Sequence, residues 1–510
     1  MSDSKTDSGS NADGNAGNDI PRFAVVGRQN KGKSSVLATL VEQADNDKIR
    51  IGPTPGETTR CYSVPLQLNG ETLIEFIDTP GFSRARQALA WLKENHPETE
   101  GVARIDTVRR FVEEHRQADG GGEFPDECEL LTPILAGAGI VYVVDGSKPF
   151  RPDFVAEFEI LRWTGRPRMA VLNNQSDDSD HSDAWREHLG EAFNLTREFD
   201  AHEAQFDERI RLLRHLLEIE DRQQERISKT IDLVEAEWAQ RRSEAADIIL
   251  TLLEEGLTAT VSKNVGDGGI ERDYQRERVE AGLNELYREK IRDLERRHHH
   301  RLIELYRHSD VEFGDDGGEL EGLPDLFTDE TWQVFGLNPQ QWAAVCALMG
   351  AAAGGAIDIG TGGATHGVAT ALGAASGYLY GMFGGRSLAK RKIKLREVKM
   401  PIGGVQVRIG LQKNDKLPWM LLGRVLFHYR QLISRSHGRR DAFVIDWSEL
   451  AEDDRHFAGN YLRDHIRKLT GWFKAVAKNG GSRSQDDGEV YEILRDVLRK
   501  VEHDAGVEGG

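Results

Sequence analysis

Phe23-Ala24-Val25-Val26-Gly27-Arg28-Gln29-Asn30-Lys31-Gly32-Lys33-Ser34-Ser35-Val36-Leu37 is the stretch on which the fold turns. Four apolar, β-prone residues run into G-x-x-x-x-G-K-S, and helix-compatible residues follow to Leu40, so the pattern reads strand, glycine-rich turn, helix. The glycines let successive backbone N–H groups turn toward phosphate oxygens, and the helix N-terminus adds its positive dipole end. Lys33 neutralises β- and γ-oxygens, and Ser34 offers a hydroxyl to magnesium. Gly27, Asn30, Lys31, Gly32, Lys33, Ser34 and Ser35 form the expected phosphate-binding set.

A second motif follows on the next strand. Leu73 to Ile77 delivers Asp78-Thr79-Pro80-Gly81, which puts an acid at a strand end where it can hold a magnesium-bound water, and a glycine whose amide can sense a γ-phosphate. Between the two motifs lies Pro55-Gly56-Glu57-Thr58-Thr59-Arg60, whose threonine hydroxyls can complete a magnesium shell. Further short apolar runs at Tyr62 to Leu68, Ile140 to Val144 and Met169 to Leu172 alternate with amphipathic stretches, the arithmetic of an α/β domain with a mostly parallel sheet. Loop, then threonine, then D-x-x-G is the order of a regulatory GTPase.

The G-x-x-N-x-G-K-S-S loop, the P-G-x-T-T-R segment and D-T-P-G resemble the Era/TrmE branch of bacterial GTPases from Phe23 to about Leu217. The layout beyond is similar to bacterial GTPases bearing a C-terminal domain of unknown function. The resemblance implies GTP binding and slow hydrolysis to GDP and phosphate, with Lys33, Asn30, Thr59 and Gly81 as the catalytic set. Magnesium would be held by Ser34, Asp78 and Thr59, the second threonine being preferred to Thr58. Ras-like enzymes carry a water-orienting Gln after D-x-x-G, but here Phe82 stands in that place. In relatives with a hydrophobic residue there, potassium held partly by the loop asparagine compensates, which would be Asn30; its other reading is a simple cap of the loop.

Guanine recognition normally uses N-K-x-D after the fifth strand. Here the run is Asn173-Asn174-Gln175-Ser176-Asp177, so Asn174 and Asp177 fit with Gln175 replacing Lys, whereas the register starting at Asn173 puts Ser176 where the acid belongs. Ala201 keeps the alanine of the family's S-A-K. GTP is favoured over ATP on these residues.

Elsewhere composition guides the reading. The chain has 510 residues, too many for one ordinary core. Its 85 acidic against 66 basic residues, net -19, argue against a chain-wide grip on nucleic acid. Its three cysteines are scattered, so neither a disulfide framework nor a zinc site is encoded, and a reducing compartment fits. The expected organisation is a solvated tail over 1–20; a GTPase domain over 21–218 with a helical insertion at about 83–130; a helical stalk or hairpin, coiled-coil-like, over 219–340; a glycine-zipper hairpin with a basic segment over 341–400; a small mixed domain over 401–480 with an amphipathic helix near Leu421 to Ser434; and a tail over 481–510.

Two apolar rows carry the helical pair. Ile227, Ile231, Val234, Trp238, Ala245, Ile248 and Leu252 line the first helix with Arg241 interrupting, and Val279, Leu283, Leu286, Leu294 and Leu305 line the second; Gly266 to Gly269 supplies the turn. His298-His299-His300 reads as a solvated helix surface rather than a metal site. Gly373, Gly377, Gly381 and Gly385 repeat every four residues within Ala343 to Gly385, a spacing that lets two helices approach closely, and Arg386 to Lys399 is basic. This segment suits either a hairpin at the cytoplasmic membrane facing anionic lipid or a soluble packed hairpin.

Three functions are compatible with these features. One is a cytoplasmic GTP/GDP switch controlling a helical, membrane-proximal module through an unidentified protein effector. The others are an Era/TrmE-like RNA or ribosome-associated GTPase, disfavoured by the lack of a KH clamp, and a nucleotide-binding pseudo-GTPase scaffold.

Overall fold

Strand β1 (Arg22–Val26) shows how the N-terminal sequence becomes a two-sided layer. Its side chains alternate, so Phe23 and Val25 enter one core and Ala24 and Val26 the opposite one. Both faces are apolar, as a parallel strand covered by helices requires.

The computed structural model describes residues 20–28, 32–41, 60–97, 102–116, 122–173, 181–199, 206–265, 273–306, 326–327, 331, 335–348, 396–399, 405–410, 416–434, 456–479 and 487–506. They fall into two compact units that meet in sequence at Ala236/Glu237.

In the first unit six strands follow the order β2-β3-β1-β4-β5-β6. They are β2 (Tyr62–Leu68), β3 (Glu71–Asp78), β1, β4 (Gly139–Asp145), β5 (Arg168–Asn173) and β6 (Leu195–Phe199). Only β2 is antiparallel to its neighbour. One face is covered by α1 (Lys33–Val41) and α7 (Phe206–Ile219), through Val36, Leu37, Leu40, Leu212 and Leu216. The other carries α2 (Ala85–Asn95), α3 (Arg104–His115), α4 (Pro125–Leu135), α5 (Asp153–Trp163) and α6 (Ser182–Ala192), packed through Leu92, Phe111, Leu131, Phe158 and Trp185. Arg209 of α7 is buried because its Nε donates to Leu40 O at 2.8 Å, satisfying a carbonyl that the end of α1 leaves open. This is the expected α/β GTPase sheet, and β6 is a strand the apolar runs did not announce.

The unit does not stop at 218. Ile227, Ile231 and Val234 at the start of α8 (Gln224–Thr258) belong to its core, so the first half of the expected stalk row serves this unit. From Glu237 onward α8 belongs to the second unit, together with β7 (Thr260–Asn264), α9 (Asp273–Leu305), β8 (Arg396–Lys399), β9 (Val405–Gly410), α10 (Leu417–Ser434), α11 (Phe457–Leu462), α12 (Ile466–Asn479) and α13 (Asp487–Asp504).

Within this second unit α9 meets α8, with Trp238 packed edge-on to Tyr306 and Arg297 3.6 Å from Glu255, while the expected turn at Gly266 to Gly269 lies outside the described residues. It is no free-standing stalk, because α9 packs on α10 and β7 joins β9 and β8 in an antiparallel sheet of order β7-β9-β8. Residues of the expected small domain over 401–480 thus share this unit rather than forming their own. The stripe on α9 also differs from the expected one. Leu286 is exposed and Leu305 half-buried, while Tyr287, Ile291 and Leu302 are buried with Leu283 and Leu294. Helix α10 is buried from Leu417 to Tyr429 instead of being amphipathic, the pattern of a helix at the centre of a core. Within 481–510 the expected tail is replaced over Asp487–Asp504 by a helix that buries Val490, Leu494, Val497, Leu498 and Val501. Glycine and acid surround those residues in sequence and mask a regular three-four spacing.

The histidine run is the sharpest correction. His298 and His299 are buried and only His300 is exposed. The His299 ring stacks on His428 of α10, with centroids 4.2 Å apart and planes 4° off parallel. One turn before each ring, Glu295 and Arg424 form a buried ion pair at 2.5 Å. Burial holds both imidazoles well below the ordinary histidine range, with the Arg424 charge adding to the effect on His299 and the facing His299 ring to that on His428. They therefore stay neutral in the folded chain but take up protons near pH ~6.5 once unfolded. Stability present above that pH is expected to fall as the pH drops through it, by about 1.4 kcal/mol per pH unit for each imidazole. Urea midpoints at pH 7.5, 6.5 and 5.5 check this, and His299→Phe should flatten the dependence; equal slopes for the two proteins would refute it.

Among the described residues no helix is long and apolar enough to cross a membrane. The zipper glycines Gly373 to Gly385 and the basic positions Arg386 to Lys394 lie outside those residues.

Candidate functional site

Strand register builds the site. Val25 pairs with Asp78 across β1 and β3, so the glycine loop leaving β1 and the D-T-P-G segment leaving β3 emerge side by side. Thr79 fastens the two, its N–H and hydroxyl both donating to Val25 O, at 3.3 and 2.9 Å.

The loop's first glycine has φ +148°, and a Cβ there would sit 2.3 Å from the Val143 carbonyl oxygen of β4. That contact is with backbone and cannot relax, so the loop can cross the sheet end only with glycine at Gly27. Gly32 has φ +85°, and its carbonyl accepts Val36 N–H at 2.9 Å as α1 begins. Lys33 is therefore in the first turn of α1. Its Nζ donates to Gly27 O at 2.8 Å and Arg28 O at 3.3 Å, so the ammonium lies folded over the loop's own carbonyls.

Lys33 and Asp78 are each 7% exposed. Burial pulls the lysine below its usual range, against the raising influence of Asp78 and Glu157. Burial likewise pushes Asp78 up to about 6, although the Lys33 charge and a backbone hydrogen bond from Thr79 oppose the shift. Asp78 Oδ1 is buried with no hydrogen-bond partner among the described residues. An unsatisfied carboxylate oxygen at the strand end, together with the half-buried Ser34 hydroxyl at the start of α1, is the donor chemistry that magnesium takes, as hard oxygen ligands completed by water and phosphate. No separate group of three His, Cys, Asp or Glu among the described residues could hold a metal.

Ser34 and Ser35 follow in α1, the latter buried. Gly81 is also buried, and the Phe82 side chain belongs to the core beneath α2, where it cannot orient a water. Asn30, Lys31, Thr58, Thr59, Asn174, Asp177 and Ala201 lie outside the described residues.

Sequence reading missed the charged groups behind the loop. Arg28 Nε pairs with Glu157 of α5 at 2.6 Å while its guanidinium lies 4.0 Å over the Phe154 ring. Glu157 is fully buried and accepts a second bond from Tyr142 Oη on β4. Burial raises the Glu157 pKa, and the Tyr142 and Arg28 bonds counter it. The only signal was an acid inside the apolar run Phe154 to Trp163, which alone cannot name its partner. Arg28, Phe154 and Glu157 border an open cavity of about 820 Å³ that also touches Gly81, Ser83, Val143, Lys148 and Trp185.

Two family models match the chain, and the second begins inside the first structural unit, ahead of β6. Residues 22–120 fit the family described as 50S ribosome-binding GTPase, and residues 186–498 fit the family described as a domain of unknown function, DUF3482. GTPase Der of Mycoplasma pneumoniae is 23% identical over 168 residues, covering 30% of this chain and 35% of that protein. GTPase Era of Neisseria meningitidis is 30% identical over 112 residues, covering 22% and 35%. The chain thus spans about a third of the length of the curated relatives it matches. Era of Aquifex aeolicus bound to GDP and aluminium fluoride is 16% identical with a TM-score of 0.25, covering 56% of this chain and 89% of that one. A probable GTP-binding protein engB is 19% identical with a TM-score of 0.24, covering 39% and 97%. Both superpositions are too loose to add to the assignment. With more than half of its length matched, the chain belongs to the DUF3482 family and carries that region behind an Era-like P-loop GTPase domain.

Proposed function

We propose that the chain is a guanine-nucleotide switch that binds GTP and GDP and hydrolyses GTP slowly. The observation that carries this reading is the buried Lys33 and the half-satisfied Asp78 at adjoining strand ends. Lys33 exchanges its loop carbonyls for β- and γ-phosphate oxygens, and the amides of the loop cradle the same groups. Ser34, Asp78 and Thr59 would hold magnesium, which when bound neutralises charge on the phosphates. Gly81 presents its amide to the terminal phosphate. Base selection falls to Asn174 and Asp177, the register that keeps an acid in the fourth place of the motif. Titration with fluorescent GTP, GDP and ATP, with magnesium and then with chelator, tests the reading. Guanine nucleotides should bind at least about tenfold tighter than ATP, since a site built to pair hydrogen-bonding groups rejects bases that leave them unpaired. Equal affinity for ATP would sink the guanine assignment.

The effector arm of the switch is assigned to Ala343 to Gly385 and the basic run Arg386 to Lys399, on the strength of the four-residue glycine spacing and the charge that follows it. Flotation with anionic vesicles should carry the full chain upward, and neutral vesicles should carry less. Protein left at the bottom of both gradients removes the membrane arm and leaves the nucleotide switch intact.

A further inference from the structure

Helix α2 begins without a cap of its own. Arg84 at its N-cap makes no side-chain bond, and its first turn contains no acid. A helix start leaves N–H groups open and favours negative charge. Here the charge comes from another helix. Glu127, in the first turn of α4, is fully buried, and its Oε1 accepts the backbone N–H of Ser83 at 2.9 Å and of Arg84 at 2.5 Å. Its neighbour Asp126 accepts the Ser83 hydroxyl.

The same helix also holds the chain at Cys61, next to the threonine segment in sequence. Glu129 Oε1 accepts Cys61 N–H at 3.0 Å, and the Glu129 carbonyl receives the Cys61 thiol at 3.3 Å. Ser83 follows Gly81 by two residues, and Cys61 opens the run into β2. In sequence Cys61 follows Thr59 by two, and on the GTP reading above Gly81 and Thr59 are the groups that meet a third phosphate. An ordinary helix cap would explain Glu127 alone. It would not explain why a single turn of α4 holds both segments by backbone N–H groups.

We propose that α4 holds the switch segments, with Glu127 and Glu129 as positioning residues that set the segments around Gly81 and Cys61 for a guanosine triphosphate and not for a diphosphate. Neither carboxylate touches the nucleotide. Each acts by fixing the backbone that presents Gly81 and the chain entering β2. This rests on the GTP reading above. It adds that the long connection between β3 and β4 is part of the switch, and that a partner pulling on α4 would weaken the triphosphate state alone.

Affinity for a non-hydrolysable GTP analogue and for GDP, measured with magnesium on the full chain, gives the readout. Glu127→Ala should weaken analogue binding on the order of tenfold, the worth of a lost hydrogen bond to a charged group, while GDP affinity stays within about twofold. Glu127→Gln keeps an acceptor oxygen in place and should recover most of the loss. If Glu127→Ala does not fold, Glu129→Ala at its half-buried position carries the test, with an expected selective loss of about threefold from one neutral-to-charged bond. Equal losses for analogue and GDP, or no change in either, would overturn the proposal. A wild-type chain that binds neither nucleotide would instead overturn the GTP reading, so the two failures are distinct.

Discussion

Replacing Lys33 by alanine is expected to weaken binding of GTP and GDP roughly 10- to 150-fold, the range for losing a hydrogen bond to a charged group. Lys33 is buried and its ammonium already makes two bonds to loop carbonyls, so it is held where phosphate oxygens arrive. Its charge also offsets that of Asp78, and without it the acid's burial is opposed only by the Thr79 backbone bond. Removing a desolvated cation should leave the thermal midpoint of the nucleotide-free chain within a few degrees of wild type. Fluorescent-nucleotide titration beside a melting curve separates lost contact from lost fold. Wild-type affinity in Lys33→Ala would mean that the loop does not hold phosphate at all.

The largest expected stability effect lies in the second unit. Arg242 of α8 donates through Nε at 2.7 Å and Nη2 at 2.6 Å to Glu502 of α13, whose other oxygen accepts the Tyr429 hydroxyl. Tyr429 and Tyr306 share a further hydrogen bond at 2.9 Å. Glu502 is fully buried, so Arg242→Ala takes the guanidinium away from a desolvated carboxylate and should cost about 3–5 kcal/mol. Exposed pairs behave differently: Arg186→Ala breaks the surface contact with Glu198 and should cost under ~1 kcal/mol. Urea unfolding followed by tryptophan fluorescence compares them, since Trp238, Trp419 and Trp472 are all buried in the second unit. Equal shifts for the two variants would show that the network is not what holds α8 and α13 in that core.

These two results concern residues of different legibility. Lys33 could be named in advance because its role is written within a dozen neighbouring positions: an apolar run, two glycines at fixed spacing, a cation and a helix former. Arg242 gave no such sign. Its partner lies 260 positions away, in a stretch whose glycine and acid look like a solvated end. The His298-His299 pair misled for the same reason. Histidines among arginines on a helix read as solvated, and only the opposing face of α10 makes them interior.

By itself the sequence determined the phosphate loop, five of the six strands of the sheet, the two long helices and the acid that ends β3. All of these are set by local sterics and by periods of two or 3.6 residues, which neighbouring positions carry in full. The tertiary structure alone decided which polar side chains go inside. Glu127 turns to α2 rather than to its own helix, Glu157 sits under Arg28 and Glu502 joins Arg242. A buried charge is tolerated only where its partner stands, and partners separated by 43 to 260 positions are brought together by packing, which no local pattern encodes.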